Sequence, residues 1–377
     1  MRFDRHAISP RCMNMHKARA TEPACAKHST LRPRRLVQRD RRSRSRFTRK
    51  ASLSTLATPV RARGDTTMRK EAMRKKAMRK ESTRKRPTAL WSRRCAGDQP
   101  NTPKASTMTL RIWHQSFTVL SDLPAYEAAL VAHFRRVARA DTEVVMHGML
   151  PGTYETEYPG TDIRHHVAQH LHAGQFIAAA LAAERQGFDA LAIMSIPDVG
   201  LPESRQVVDI PVVAYGESAM LTACMLGARF GVITFIEDFP ELIAANVERY
   251  GLSSRCAASR PAGFGFHDVL AGFANPAPLI ERFTAAARAL IREGADVIIP
   301  GEAPLNVLLA LNGINRVDDC PVLDSIGATI KMAESLVDLR RASGVMQSRK
   351  GYFRRRPPRE RVDELMRFYG LDRHGPP

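Results

Sequence analysis

From residue 109 onward the chain alternates short, continuously apolar runs with longer stretches whose apolar residues recur every three or four positions. The runs LRIWHQSF (110–117), TEVVMHGM (142–149), DALAIMSI (189–196), IPVVAYG (210–216), FGVITFI (230–236), DVIIP (296–300) and PVLDSI (321–326) predict strands, with a weaker one over 254–260. The periodic stretches predict helices over 125–137, 164–186, 203–208, 218–226, 239–250, 278–293, 305–312 and 328–342. Short apolar strands joined by helices form parallel sheets covered on both faces, so the expected class is α/β. In such sheets ligands bind beyond the carboxyl ends of the strands. That rule gathers residues 114–118, 195–200, 215–218, 301–305 and 324–327 on one functional rim.

Residues 1–108 share none of this pattern. They hold 31 of the 58 Lys and Arg residues and 7 of the 38 Asp and Glu residues, a net of +24. The remainder holds 27 basic and 31 acidic residues, a net of −4, so the overall charge of +20 belongs to the first segment alone. A five-residue repeat, MRKEA MRKKA MRKES TRKRP, starts at Met68 and matches neither a helical nor a heptad period. With so few apolar side chains to offset the entropy of ordering, the segment is expected to be disordered. Its charge would suit nucleic acid or anionic lipid, and its Arg- and Ser-rich composition suits a transit peptide. The tandem repeat, with Met108 just ahead of the first strand, points instead to translated upstream DNA. A nucleic-acid partner is therefore expected only if this segment is real, and no membrane partner is expected. No signal-type apolar run lies near Met1, and the expected location is cytoplasmic.

Signature motifs are few. Neither G-x-G-x-x-G nor G-x-x-x-x-G-K-[ST] occurs, so dinucleotide and P-loop nucleotide binding lack their marks. His166 and His170, in RHHVAQHLH, have the i, i+4 spacing of a metal pair, but no acid or thiol nearby completes a set, and no metal is expected. Cys12, Cys25, Cys95, Cys224, Cys256 and Cys320 form no C-x-x-C and read as reduced, structural thiols. Near the end, Pro357-Pro358 introduces an amphipathic helix over 360–369, whose Val362, Leu365, Met366 and Phe368 are expected to dock on the body or on a second subunit.

Three stretches carry a resemblance. They are FDALAIMSIPDVGLPESRQVVDIPVVAYGESAM (188–220), GARFGVITF (227–235), and GADVIIPGEAPLNVLL followed by CPVLDSIGATIKMAESL (294–309 and 320–336). In order and spacing, residues 109–345 resemble the aspartate/glutamate/hydantoin racemase superfamily, in its hydantoin-racemase-like branch. The resemblance implies two Rossmann-like parallel-sheet lobes related by a pseudo-twofold, with the site in the cleft between them. The first lobe would comprise 109–211 plus 318–345 and the second 212–317, with 346–377 a C-terminal extension. It implies proton transfer next to a carbonyl without PLP or any other cofactor, on a small carboxylate or hydantoin-type substrate, in a homo-oligomer. It also implies two catalytic cysteines, one in each half.

The chain departs from that pattern at both positions. The first is Ser195, in Ser195-Ile196-Pro197-Asp198, and the second is Glu302, after Pro300-Gly301. A serine hydroxyl is a poor base without an activating partner, whereas a glutamate in a dry cleft can give and take protons once burial raises its pKa. A one-base route through Glu302 is the expected chemistry, with the enolate held by backbone N–H groups and Ser195. The plainer role of Glu302 is an acid at the start of the 304–312 helix, and that of Ser195 a cap on the turn before Pro197. Gln115, Ser116 and Thr118 stand where the family places polar substrate-binding residues. Gly216, Glu217 and Ser218 open a helix whose N–H groups could receive an anion, and Tyr215, Gly301 and Asp198 complete the expected set, Asp198 leaning toward a turn role. The competing functions are a related decarboxylase, a cis–trans isomerase, or a non-catalytic binder of small carboxylates.

Overall fold

The computed structural model describes residues 109–372. The N-terminal basic segment, with the disorder and nucleic-acid affinity expected of it, lies outside the described residues.

The first half builds a four-stranded parallel sheet. β1 (Leu110–Ser116) is followed by helix α1 (Pro124–Val137) and by β2 (Thr142–His147). Helices α2 (Gly160–Ile163) and α3 (His166–Arg185) lead to β3 (Ala190–Met194), then α4 (Leu201–Val207) to β4 (Val212–Ala214). The spatial order is β2-β1-β3-β4, every pair parallel. β3 is buried at all five positions, which is why its sequence, ALAIM, is apolar without alternation.

The chain then crosses over. Helix α5 (Tyr215–Leu226) follows β4 and packs against both sheets. A second parallel sheet is made of β5 (Phe230–Thr234), β6 (Cys256–Pro261) and β7 (Val297–Pro300), in the order β6-β5-β7. Its connections are α6 (Phe239–Arg249), α7 (Phe266–Gly272) and α8 (Ala277–Arg292). After β7 come α9 (Ala303–Leu311) and a small antiparallel pair, β8 (Arg316–Val317) with β9 (Cys320–Pro321). Val322 then makes a parallel bridge to Ile298 of β7. Counting that bridge as a fourth strand position, the second sheet repeats the order of the first. Helix α10 (Ser325–Ser343) carries the chain back onto β3, β4 and α5. The α/β class and the parallel pairing expected from the sequence are thus observed, with one apolar core running through both sheets.

Three expectations need correction. The lobe boundaries at 212 and 318 fall too early: β4 still pairs with β3, and Val322 still pairs with β7. The crossings are made by the helices that follow, α5 and α10. The strand expected over 321–326 shrinks to β9 and one bridge, because Asp324 already caps α10, its carboxylate accepting from the Gly327 N–H at 3.0 Å. Helix α7, in the Gly- and Phe-rich stretch after β6, was not foreseen at all.

The C-terminal extension lies on the first sheet's side. Arg356 and Arg359 reach Glu184 at the end of α3, at 3.3 and 2.9 Å, and Arg349 bonds the Arg205 carbonyl at 2.8 Å. Helix α11 (Arg359–Phe368) buries Val362 and Met366, but Leu365 is partly exposed and Phe368 largely so. The docked face is therefore narrower than its sequence suggested. Among the described residues, no helix is long and apolar enough to cross a membrane.

Candidate functional site

A cavity opens where the carboxyl ends of the two sheets meet. Ser195 enters it directly after β3, and Glu302 enters it two residues after β7, from corresponding places in the two halves. Ser116 and Thr118, beyond β1, line it too, as does Tyr126 from the first turn of α1. Most of the remaining wall is apolar, and within it Tyr158 stacks on Phe266 with ring centroids 4.6 Å apart. No Lys, Arg or His lines the cavity. Next in sequence to the lining residues Ile163 and Phe239, Arg164 pairs with Asp238 at 2.6 Å, joining the segment before α3 to the start of α6.

Glu302 does not cap its own helix. Its carboxylate reaches the loop after β5, where the Phe235 N–H donates at 3.1 Å, the Ile236 N–H at 3.3 Å, and the Thr234 hydroxyl makes a further short bond. Successive N–H groups of this kind form a concave seat for an anion. No cation pairs with Glu302, and burial outweighs the donors, pushing its pKa up to about 7. Thr234 also accepts the Ile236 N–H at 3.1 Å, so its hydroxyl organises the whole seat. Thr234→Val is expected to raise the Glu302 pKa further, displacing the acidic limb of a kcat/KM profile upward, while Thr234→Ser leaves that limb in place.

Ser195 is buried and its hydroxyl has no hydrogen-bond partner in the protein; the turn before Pro197 is closed by its carbonyl, which accepts the Asp198 N–H at 3.1 Å. Ser116 and Thr118 bond one another at 2.7 Å.

The other expected residues have different employment. Asp198, in the left-handed conformation with φ 54°, accepts from the N–H groups of Gly216 and Glu217, both at 2.7 Å, and from the Tyr250 hydroxyl at 2.6 Å. Burial lifts its pKa to about 7. The anion seat expected at the start of the 215–226 helix therefore exists but is filled by the protein's own carboxylate, and Gly216 is not open to substrate. Ser218 lies inside α5, buried, rather than at its N-cap. Gln115 is turned away from the cavity, accepting from the Trp113 indole at 3.0 Å and donating to the Gly148 carbonyl at 2.8 Å. Tyr215 donates to the Pro300 carbonyl at 2.6 Å, holding α5 against the end of β7. Gly301 brings the backbone close to β5: a Cβ there would stand 2.8 Å from the Ile233 carbonyl oxygen. His166 and His170 are exposed on α3, and no cluster of three or more metal-ligating side chains occurs among the described residues.

Four residues of the site escaped the sequence reading: Tyr126, Tyr158, Phe266 and Thr234. Aromatic residues at the edge of a helix read as core. Only the duplication offers a signal for Thr234, which ends β5 as Ser116 ends β1, the first strand of each sheet.

The repeated order of the two parallel sheets, with a cleft where their carboxyl ends meet, is shared with known proteins. The family profile described as Asp/Glu/Hydantoin racemase matches residues 125–333, and the chain belongs to that family. It is 29% identical over 219 residues to a hydantoin racemase of Pseudomonas sp. (strain NS671), spanning 57% of this chain and 82% of that protein. It is 30% identical over 162 residues to a hydantoin racemase of Rhizobium meliloti, 41% of this chain and 62% of that one. Among solved structures, allantoin racemase from Klebsiella pneumoniae superposes with a TM-score of 0.55 at 26% identity, covering 66% of this chain and 94% of that one.

Proposed function

We propose that the protein moves a proton at the acidic carbon of an uncharged, hydantoin-type ring, with Glu302 as the base. The observation that carries this is a buried carboxyl, unpaired with any cation and held near neutrality in its pKa, in the wall of a largely apolar cavity. In the forward step the carboxylate takes the proton, the C–H bond breaks, and its electron pair moves onto the neighbouring carbonyl as an enolate. Return of a proton to the carbon restores the ring and the base. Ser195, entering from the first sheet, supplies a hydroxyl that can hold the enolate oxygen while Glu302 takes and returns the proton.

The lining supports a neutral substrate. Taking a second carboxylate out of water into a cavity without Lys, Arg or His would leave it uncompensated. Imide rings and apolar substituents meet no such cost, and the Tyr158–Phe266 stack offers them a flat wall. The same lack of a cation weighs against the decarboxylase and carboxylate-binder alternatives.

The test is deuterium incorporation from D2O into 5-substituted hydantoins, followed by NMR with the full chain. Exchange should fall away on the acid side of pH 7, because protonated Glu302 cannot accept the proton. Binding of the ring without any exchange would replace the enzyme by a ligand-binding protein.

A further inference from the structure

Two hydroxyls in the cavity wall are left without partners. Tyr126 is 1% exposed, and its Oη makes no bond of normal geometry in the protein; the Ser116 hydroxyl, near enough to lower its pKa, is bonded to Thr118. Ser195 is 7% exposed and its Oγ is equally unpaired. Buried polar side chains are nearly always bonded, and leaving one unmade costs about 1–3 kcal/mol. Two such groups in one small cavity, on the wall supplied by the first sheet and α1, form an unmet demand for an acceptor.

We infer that Tyr126 is a substrate-binding residue whose hydroxyl, beside that of Ser195, donates to the carbonyl oxygen adjoining the acidic carbon. The inference rests on the proton-transfer reading above and extends it to a residue placed by geometry alone. Tyr126 stays a neutral phenol with a proton to donate, since burial raises its pKa far from the range in which a phenolate forms. A donor aimed at that oxygen strengthens as charge develops on it during C–H cleavage, so it acts on the transition state more than on the bound ring. The two halves then divide the work: Glu302, seated on the loop after β5, handles the proton, and the hydroxyls from the first half hold the oxygen.

Stability and turnover should move in opposite directions. Tyr126→Phe removes only the unpaired oxygen, so its Tm should equal or exceed that of the unaltered protein, while deuterium exchange into 5-benzylhydantoin falls roughly 10- to 100-fold, mainly in kcat. Ser195→Ala should behave alike, and the double variant should lose more than either. A Tm lowered by several degrees with exchange unchanged would make Tyr126 a structural residue and overturn the inference. Glu302→Gln, run in parallel, separates the two levels. If it retains exchange, the base assignment fails; if it is dead while Tyr126→Phe exchanges normally, only the assignment of Tyr126 fails.

Discussion

Glu302→Gln should abolish deuterium exchange, by about 10³-fold or more, and at the same time raise the melting temperature at pH 8. The loss follows from removing the proton acceptor, since general-base catalysis accounts for about 10²–10⁴ in rate. Binding should survive, because glutamine matches glutamate in shape and its carbonyl oxygen can still accept the Phe235 and Ile236 N–H groups. The gain in stability follows from linkage. The folded-state pKa of Glu302 is raised, from 4.5 to about 7, so the native state holds a proton the unfolded chain would release. Its contribution is present in full below the unfolded value and is lost as the pH climbs through 7. Above that pH the protein carries an uncompensated buried charge, which the amide removes. Melting curves at pH 5 and pH 8 are the measurement: the variant should gain on the unaltered protein at pH 8 and show no such advantage at pH 5. A variant less stable at both values would mean that the seat stabilises the carboxylate and that burial does not dominate.

Asp198→Ala should cost about 3–4 kcal/mol, the largest loss of stability expected from a single change in the site region. The side chain, itself buried, takes two N–H groups at the start of α5 and the Tyr250 hydroxyl of the second half. Alanine would leave each without a partner, and breaking a buried hydrogen-bonded network belongs to the costly class of substitutions. Gly216→Ala attacks the same junction from the other side, because its Cβ would lie 2.6 Å from both the Asp198 carboxylate and the Ile196 carbonyl oxygen. The second of these is backbone, which no side-chain rotation relieves. Urea melts followed by circular dichroism would measure both. Asp198→Asn, which keeps an acceptor, should fall between the unaltered protein and Asp198→Ala and retain exchange in its folded fraction.

Much of this arrangement could be read from the chain, for identifiable reasons. A fully buried parallel strand has to be apolar throughout, so ALAIM and VIIP announced β3 and β7, and the residues just beyond them, Ser195 and Glu302, were placed on the rim by the rule of strand ends. What stayed hidden depends on pairings distant in sequence. The Asp198 carboxylate meets N–H groups 18 and 19 residues away, and the seat of Glu302 lies 66 to 68 residues upstream. No local pattern encodes either contact. Tyr126 and Phe266 carry the same local signature as core aromatics, and only the cavity distinguishes them. Gln115 shows the converse, a polar residue at a strand end that satisfies its neighbours and nothing else.

The sulfur chemistry of the proposed site is confined to the thioether of Met194. The described thiols, Cys224, Cys256 and Cys320, are free, partly buried and absent from the cavity wall. A thiolate site is open to alkylation and to stepwise oxidation toward the irreversible acids. A carboxyl and hydroxyls offer a thiol reagent nothing to attack, so iodoacetamide and the absence of a reductant should leave this site whole, and the Met194 thioether is the one lining group that peroxide can oxidise.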